Sequence, residues 1–80
     1  SSVRVEGIVR LVGSAPFPVL VLSDAEGRDW YLDEAGQALL RSYERRTVTV
    51  EGIFRLRRMI LADGTELAPR WELTDLILKD

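Results

Sequence analysis

Residues 3–11 read Val-Arg-Val-Glu-Gly-Ile-Val-Arg-Leu and residues 48–56 read Val-Thr-Val-Glu-Gly-Ile-Phe-Arg-Leu, so one alternating apolar and polar unit occurs twice. The copies differ only at Arg4/Thr49 and Val9/Phe54. A period of two is that of a half-buried strand, and a glycine in its middle marks a bend or bulge, because no Cβ resists it. The first copy predicts a strand over residues 3–12, with Val3, Val5, Val9 and Leu11 on one face and Arg4, Glu6 and Arg10 on the other. The second opens a long fourth strand, from residue 46 or 47 to 61. Two bent strands, one early and one late, predict a small closed barrel in which they lie antiparallel and adjacent, with Gly7 and Gly52 at equivalent bends. Val5, Val9, Leu11, Val50, Phe54 and Leu56 are then expected to share one interior, and Arg10 and Arg55 to point outward.

Between the copies, residues 19–23 and 28–33 predict a hairpin around Asp24-Ala25-Glu26-Gly27, where glycine supplies the positive φ of a tight turn. Trp30 and Tyr31 are neighbours on its second strand, so they must face opposite sides. Over residues 34–44 the period changes to helical, with Leu39, Leu40 and Tyr43 on one stripe and Asp33 as N-cap. That helix is expected to close one barrel end. Ala62-Asp63-Gly64-Thr65 predicts a second hairpin turn, and the fifth strand runs to about Leu78. Pro69 marks an edge or bulge in that strand. Trp71 and Leu73 share one phase while Leu76 and Leu78 share the other, which predicts a bulge near Thr74-Asp75. The loop over residues 13–18 holds Phe17 between two prolines, where it is expected to cap a barrel end, with ligand stacking as its alternative role.

Eighty residues make a single domain, residues 1–80, of all-β class with one short helix. The formal charge of −2 removes the overall attraction that drives non-specific nucleic-acid binding. No histidine and no cysteine occur, so the usual general base, nucleophile and soft metal ligands are missing. An enzyme is not expected, nor a cofactor or a metal. The acidic group Asp24, Glu26, Asp29 and Asp33 departs from calcium-loop spacing and reads as a solvated hairpin. No apolar run approaches the ~20 residues of a membrane-spanning helix. The chain opens with Ser1-Ser2 rather than methionine, which implies that an upstream segment has been removed.

The order strand, hairpin, helix, long bent strand, hairpin resembles the oligonucleotide/oligosaccharide-binding (OB) fold, a five-stranded barrel with a helix between its third and fourth strands. Val5-Glu6-Gly7-Ile8-Val9, Ser23-Asp24-Ala25-Glu26-Gly27 and Val48-Thr49-Val50-Glu51-Gly52 are similar to scaffold patterns of such domains. The short acidic chain also resembles small exported bacterial OB-fold proteins, envelope lipoproteins among them. That resemblance implies a location in the cell envelope or periplasm, the cytoplasm being the alternative.

Domains of this fold that bind single strands use the second and third strands and the loops after the first and fourth. Those parts supply Phe17, Arg28, Trp30 and Tyr31 as candidate ligand contacts, but also Asp24, Glu26, Asp29, Asp33, Asp63 and Glu66. The expected groove is acidic. Over residues 41–58 six arginines meet two glutamates, a local charge of +4, and Arg10, Arg55, Arg57 and Arg58 form a candidate basic stripe. The expectation is a non-enzymatic binding module, monomer or weak homodimer, for a protein or small ligand, through the face of strands two and three or an open sheet edge. A single-stranded nucleic-acid-binding domain using the arginine stripe is the alternative.

Overall fold

In the computed structural model, which describes residues 1–13 and 16–79, the two copies of the repeat lie against each other. β1 (Ser2–Val12) and β4 (Thr47–Ile60) pair antiparallel with Val5 opposite Val50, Val3 opposite Gly52 and Gly7 opposite Val48. Each copy therefore sets its glycine across from a valine of the other. Both glycines are there for close approach, since neither has a positive φ. A Cβ on Gly7 would sit 2.5 Å from the Ser23 carbonyl oxygen, and one on Gly52 would sit 2.9 Å from the Thr74 carbonyl oxygen. Gly7 is also where β1 changes partners, from β4 to β2 (Val19–Asp24), whose Asp24 lies opposite it.

β2 turns through Gly27, at φ 79°, into β3 (Asp29–Leu32). β3 then pairs in parallel with β5 (Glu66–Leu78) through three positions, Trp30 to Trp71, Tyr31 to Glu72 and Leu32 to Leu73. β5 returns along β4, which closes the ring β1-β2-β3-β5-β4. Opposite Gly52 the register of β5 slips, and Asp75 has φ 55°, so the expected bulge is present and the bend in β4 packs against it. The fold is mostly β with one short helix, as predicted.

That helix, α1 (Glu34–Leu40), lies between β3 and β4. The Asp33 carboxylate accepts the Gly36 N–H at 2.9 Å as its cap. Gln37 ties the helix to the barrel by accepting the Leu20 N–H at 3.2 Å. The helix stops at Leu40 and gives way to a 3₁₀ turn, Arg41–Tyr43, rather than continuing to Glu44. Of its expected stripe Leu40 is fully buried and Tyr43 packs beside the core, while Leu39 faces out. The core proper is Val5, Val9, Leu20, Leu22, Trp30, Leu32, Leu40, Val48, Val50 and Leu73. Each such leucine or valine contributes about 1.5–3 kcal/mol by burial.

Two expected core positions are corrected. Leu11 is 48% and Leu56 51% exposed: both keep the inward phase, but each lies past the end of the packed interior. Phe17 does not cap the barrel either, being 84% exposed, because Leu40 and Tyr43 of the helical segment pack at the core instead. Ser14 and Ala15 of the same loop lie outside the described residues.

Beyond the ring β4 and β5 continue as a two-stranded ribbon. Pairing of β1 with β4 ends at Ser2 opposite Ile53, followed by one bond from the Phe54 N–H to the Ser1 carbonyl at 2.8 Å. β3 meets β5 only from Trp71 onward. Arg57–Ile60 and Glu66–Arg70 thus pair only with each other, through a register slip between Arg57 and Met59 near Pro69.

Candidate functional site

Alternation along β3 sends Trp30 inward and Tyr31 outward, which resolves the pair: Trp30 is 6% exposed and belongs to the core. On the outer face the registers place Tyr31 beside Glu72 and Glu72 beside Arg55, with Arg57 and Arg70 opposite each other in the next row. Of these, Tyr31, Arg55, Arg57 and Glu72 line a groove of about 360 Å³ that also takes in Asp33 and Thr74. The Arg70 guanidinium lies 4.4 Å from the Tyr31 ring centre, and Arg57 reaches Glu72 at 3.5 Å. Arg55 makes no ion pair among the described residues. The groove therefore sets a tyrosine beside two arginines, Arg55 and Arg57, and two carboxylates, Asp33 and Glu72, with Arg55 the one of its two arginines that makes no ion pair among the described residues. Planar guanidinium groups placed this way suit carboxylate or phosphate oxygens.

A second group of aromatic side chains closes the barrel end beneath the ribbon. Trp30 lies edge-on to both Phe54 and Trp71, at 5.6 and 5.2 Å between ring centres, and Arg28 stacks 4.3 Å from the Trp71 ring centre. The Trp30 indole N–H donates to Asp24 at 3.0 Å, and the same carboxylate accepts the Glu26 and Arg28 N–H groups, each at 2.9 Å. Arg28 also pairs with Asp24 and Glu26, at 3.6 and 3.4 Å. Desolvation pushes the Asp24 carboxyl up, but these donors and the Arg28 charge outweigh it and hold the group below the ordinary carboxylate value. The Trp30 N–H, the Asp24 carboxylate and the Arg28 guanidinium are thus engaged within the protein, so the constellation is a structural lock.

Of the candidate ligand contacts, Tyr31 alone lines the groove. Trp30 is core, Arg28 is spent on Trp71, Asp24 and Glu26, and Phe17 is exposed in the loop before β2. The expected acidic groove is also corrected: of the six carboxylates expected there only Asp33 lines it, since Ser23 donates to Asp29, Arg58 pairs with Glu66, and Asp63 accepts the Thr65 N–H inside its turn. The basic stripe divides. Arg55 and Arg57 share the groove face, while Arg58 falls on the other face of β4 by alternation and grips Glu66 through two bonds of 3.1 Å. Arg10 lies on β1 opposite Val21, with β2, β3 and β5 between it and Arg55 along that row.

Glu72 of the groove and Arg70, which stacks on the groove's tyrosine, were missed from sequence. Their signal is the alternation Arg70, Trp71, Glu72, Leu73, which marks the first and third as outward. Among the described residues no group of three or more acidic side chains could hold a metal ion, and no helix is long and apolar enough to cross a membrane. Compared with protein-family models, with curated proteins and with solved structures, the chain matches none.

Proposed function

We propose that this chain is a non-enzymatic binding module of the OB type that holds an acidic segment of a partner protein in the groove between Tyr31, Arg55 and Arg57. The ring order with a helix between its third and fourth strands supports the OB reading. The observation that carries the ligand class is the unpaired Arg55 in a groove already holding Arg57 and a tyrosine, the residue types that dominate protein interfaces. Nucleic acid is the weaker reading because bases need open aromatic faces. Here Arg70 covers Tyr31, Arg28 covers Trp71, Arg46 lies 5.4 Å from the Tyr43 ring centre, Trp30 is buried, and the exposed Phe17 is not among the residues that line the groove.

Fluorescence anisotropy at low salt decides between them, using a labelled glutamate-rich peptide against labelled single-stranded DNA and RNA. The peptide is expected to bind with Kd below ~1 mM, a weak transient affinity, and to weaken with salt. Tighter binding of either oligonucleotide, with the peptide inert, would replace this reading with the nucleic-acid one.

A further inference from the structure

We infer that the barrel end closed by α1 docks on an anionic lipid surface through Arg10, Arg41, Arg45 and Arg46, with Phe17 entering the headgroup layer. Arg45 is the pointer. Its φ is 70°, in the left-handed region that glycine enters freely and a residue with a Cβ enters at a cost. The Arg45 N–H donates to the Val9 carbonyl at 2.7 Å and the Val9 N–H donates to the Arg46 carbonyl at 3.0 Å, so two residues ahead of β4 oppose one of β1. That is the bulge whose first place belongs to glycine, and arginine stands in it. Asp75, the other non-glycine residue at positive φ, is of a type that tolerates the region, whereas arginine is not. An outlier that glycine would relieve points to a role for the side chain.

The bulge sets Arg45 and Arg46 across from Val9, the neighbour of Arg10, and the Arg46 N–H donates at 2.9 Å to the Tyr43 carbonyl of the turn that Arg41 opens. Four exposed arginines thus meet at one corner. Among the described residues none of them makes an ion pair, and Glu6 and Glu44, the carboxylates nearest in the chain, reach none. The corner carries an uncompensated positive charge on a chain whose formal charge is −2. Apolar side chains stand beside it. β1 runs out at Val12 opposite Val19, a Cβ on Gly13 would lie 4.0 Å from the Phe17 carbonyl oxygen, and both Leu11 and Phe17 are exposed there. Four arginines attract anionic headgroups, and an aromatic ring and a leucine next to them settle at the headgroup boundary. A free phosphate would use the arginines and leave Phe17 and Leu11 in water.

The test is flotation of the full chain with vesicles of phosphatidylcholine, with and without phosphatidylserine. Binding is expected only with the anionic lipid, and it should weaken as salt rises. Arg45→Gly should lower the partition coefficient about fivefold, from ~1 kcal/mol of attraction per arginine near such a surface, and Arg10→Gln about as much. The urea midpoint of Arg45→Gly should stay level or rise, because glycine relieves the bulge. Phe17→Trp should gain a tryptophan emission that brominated acyl chains quench. Undiminished vesicle binding in both arginine variants would overturn the proposal, as would equal binding to neutral vesicles or binding to neither kind. A lower urea midpoint in Arg45→Gly would show that the arginine is kept for the fold and remove the pointer. Tighter binding of single-stranded DNA or inorganic phosphate than of vesicles, lost in Arg45→Gly, would give the corner to that anion instead and overturn the lipid reading.

Discussion

The two halves of β4 obey the same alternation yet live in different surroundings. From Thr47 to Ile53 the strand pairs with β1, joined from Val50 by β5, and its inward residues Val48 and Val50 are buried. From Arg55 to Ile60 it has β5 alone, and the same inward phase leaves Leu56 and Ile60 half exposed. What differs is the number of neighbours. The ring half gains its stability from closure, whereas the ribbon half has a single ladder and surplus apolar surface. An isolated two-stranded hairpin is marginal in water, so the ribbon stands because the barrel anchors its base.

Mutations on the two sides should separate widely. Leu73→Ala, at a fully buried ring position, is expected to cost about 2–5 kcal/mol in urea melts, enough to unfold much of the population. Gly7→Ala comes next, at about 1–3 kcal/mol or more, because its methyl would overlap the Ser23 carbonyl and the backbone must move. A neutral result there would mean that the Ser23 backbone does not crowd Gly7 as the pairing of β1 with β2 places it. Asp24→Asn should cost about 1 kcal/mol near neutral pH by removing charge-assisted bonds at the aromatic lock. The folded pKa of Asp24 lies below its unfolded value of 3.8, so that stabilisation is full above 3.8 and is lost as pH falls through the folded pKa. Melts at pH 6 and pH 2 should accordingly show the gap between wild type and Asp24→Asn closing in acid; a gap that widens would contradict the lock. Smallest of all, Ile60→Ser and Arg55→Ala in the ribbon should each stay within about 0.5 kcal/mol. An Ile60→Ser as damaging as Leu73→Ala would erase the distinction between ring and ribbon.

Much of the ring was legible because alternation, glycine and turn chemistry are local signals. Residues 3–12, the Asp33 cap and the bulge near Asp75 all follow from neighbouring residues in the chain. The near-repeat added one long-range fact, the pairing of β1 with β4. Where the core ends was hidden, since Leu11 and Leu56 have the right phase and only three-dimensional closure strands them outside. The candidate site was half legible. Tyr31 and Arg55 could be singled out, but their meeting depends on the parallel pairing of β3 with β5, which no local pattern announces. Grouping Arg58 with Arg57 ignored the alternation that separates them.

The shortness of that parallel pairing has a consequence for how the ring stays shut. With three paired positions it is, together with the seam of β2 and β3, the briefest in the barrel, yet side chains reach across it on both faces. Arg70 of β5 covers Tyr31 of β3, Arg28 just before β3 covers Trp71 of β5, and Trp30 meets Trp71 edge-on. Arginine over an aromatic ring contributes about 0.5–2 kcal/mol and aromatic pairs a similar amount, so these clasps rival the backbone bonds of the seam itself. A transient breathing of the barrel would begin where they let go, one such point being the contact of Arg70 with Tyr31, the ring that lines the groove.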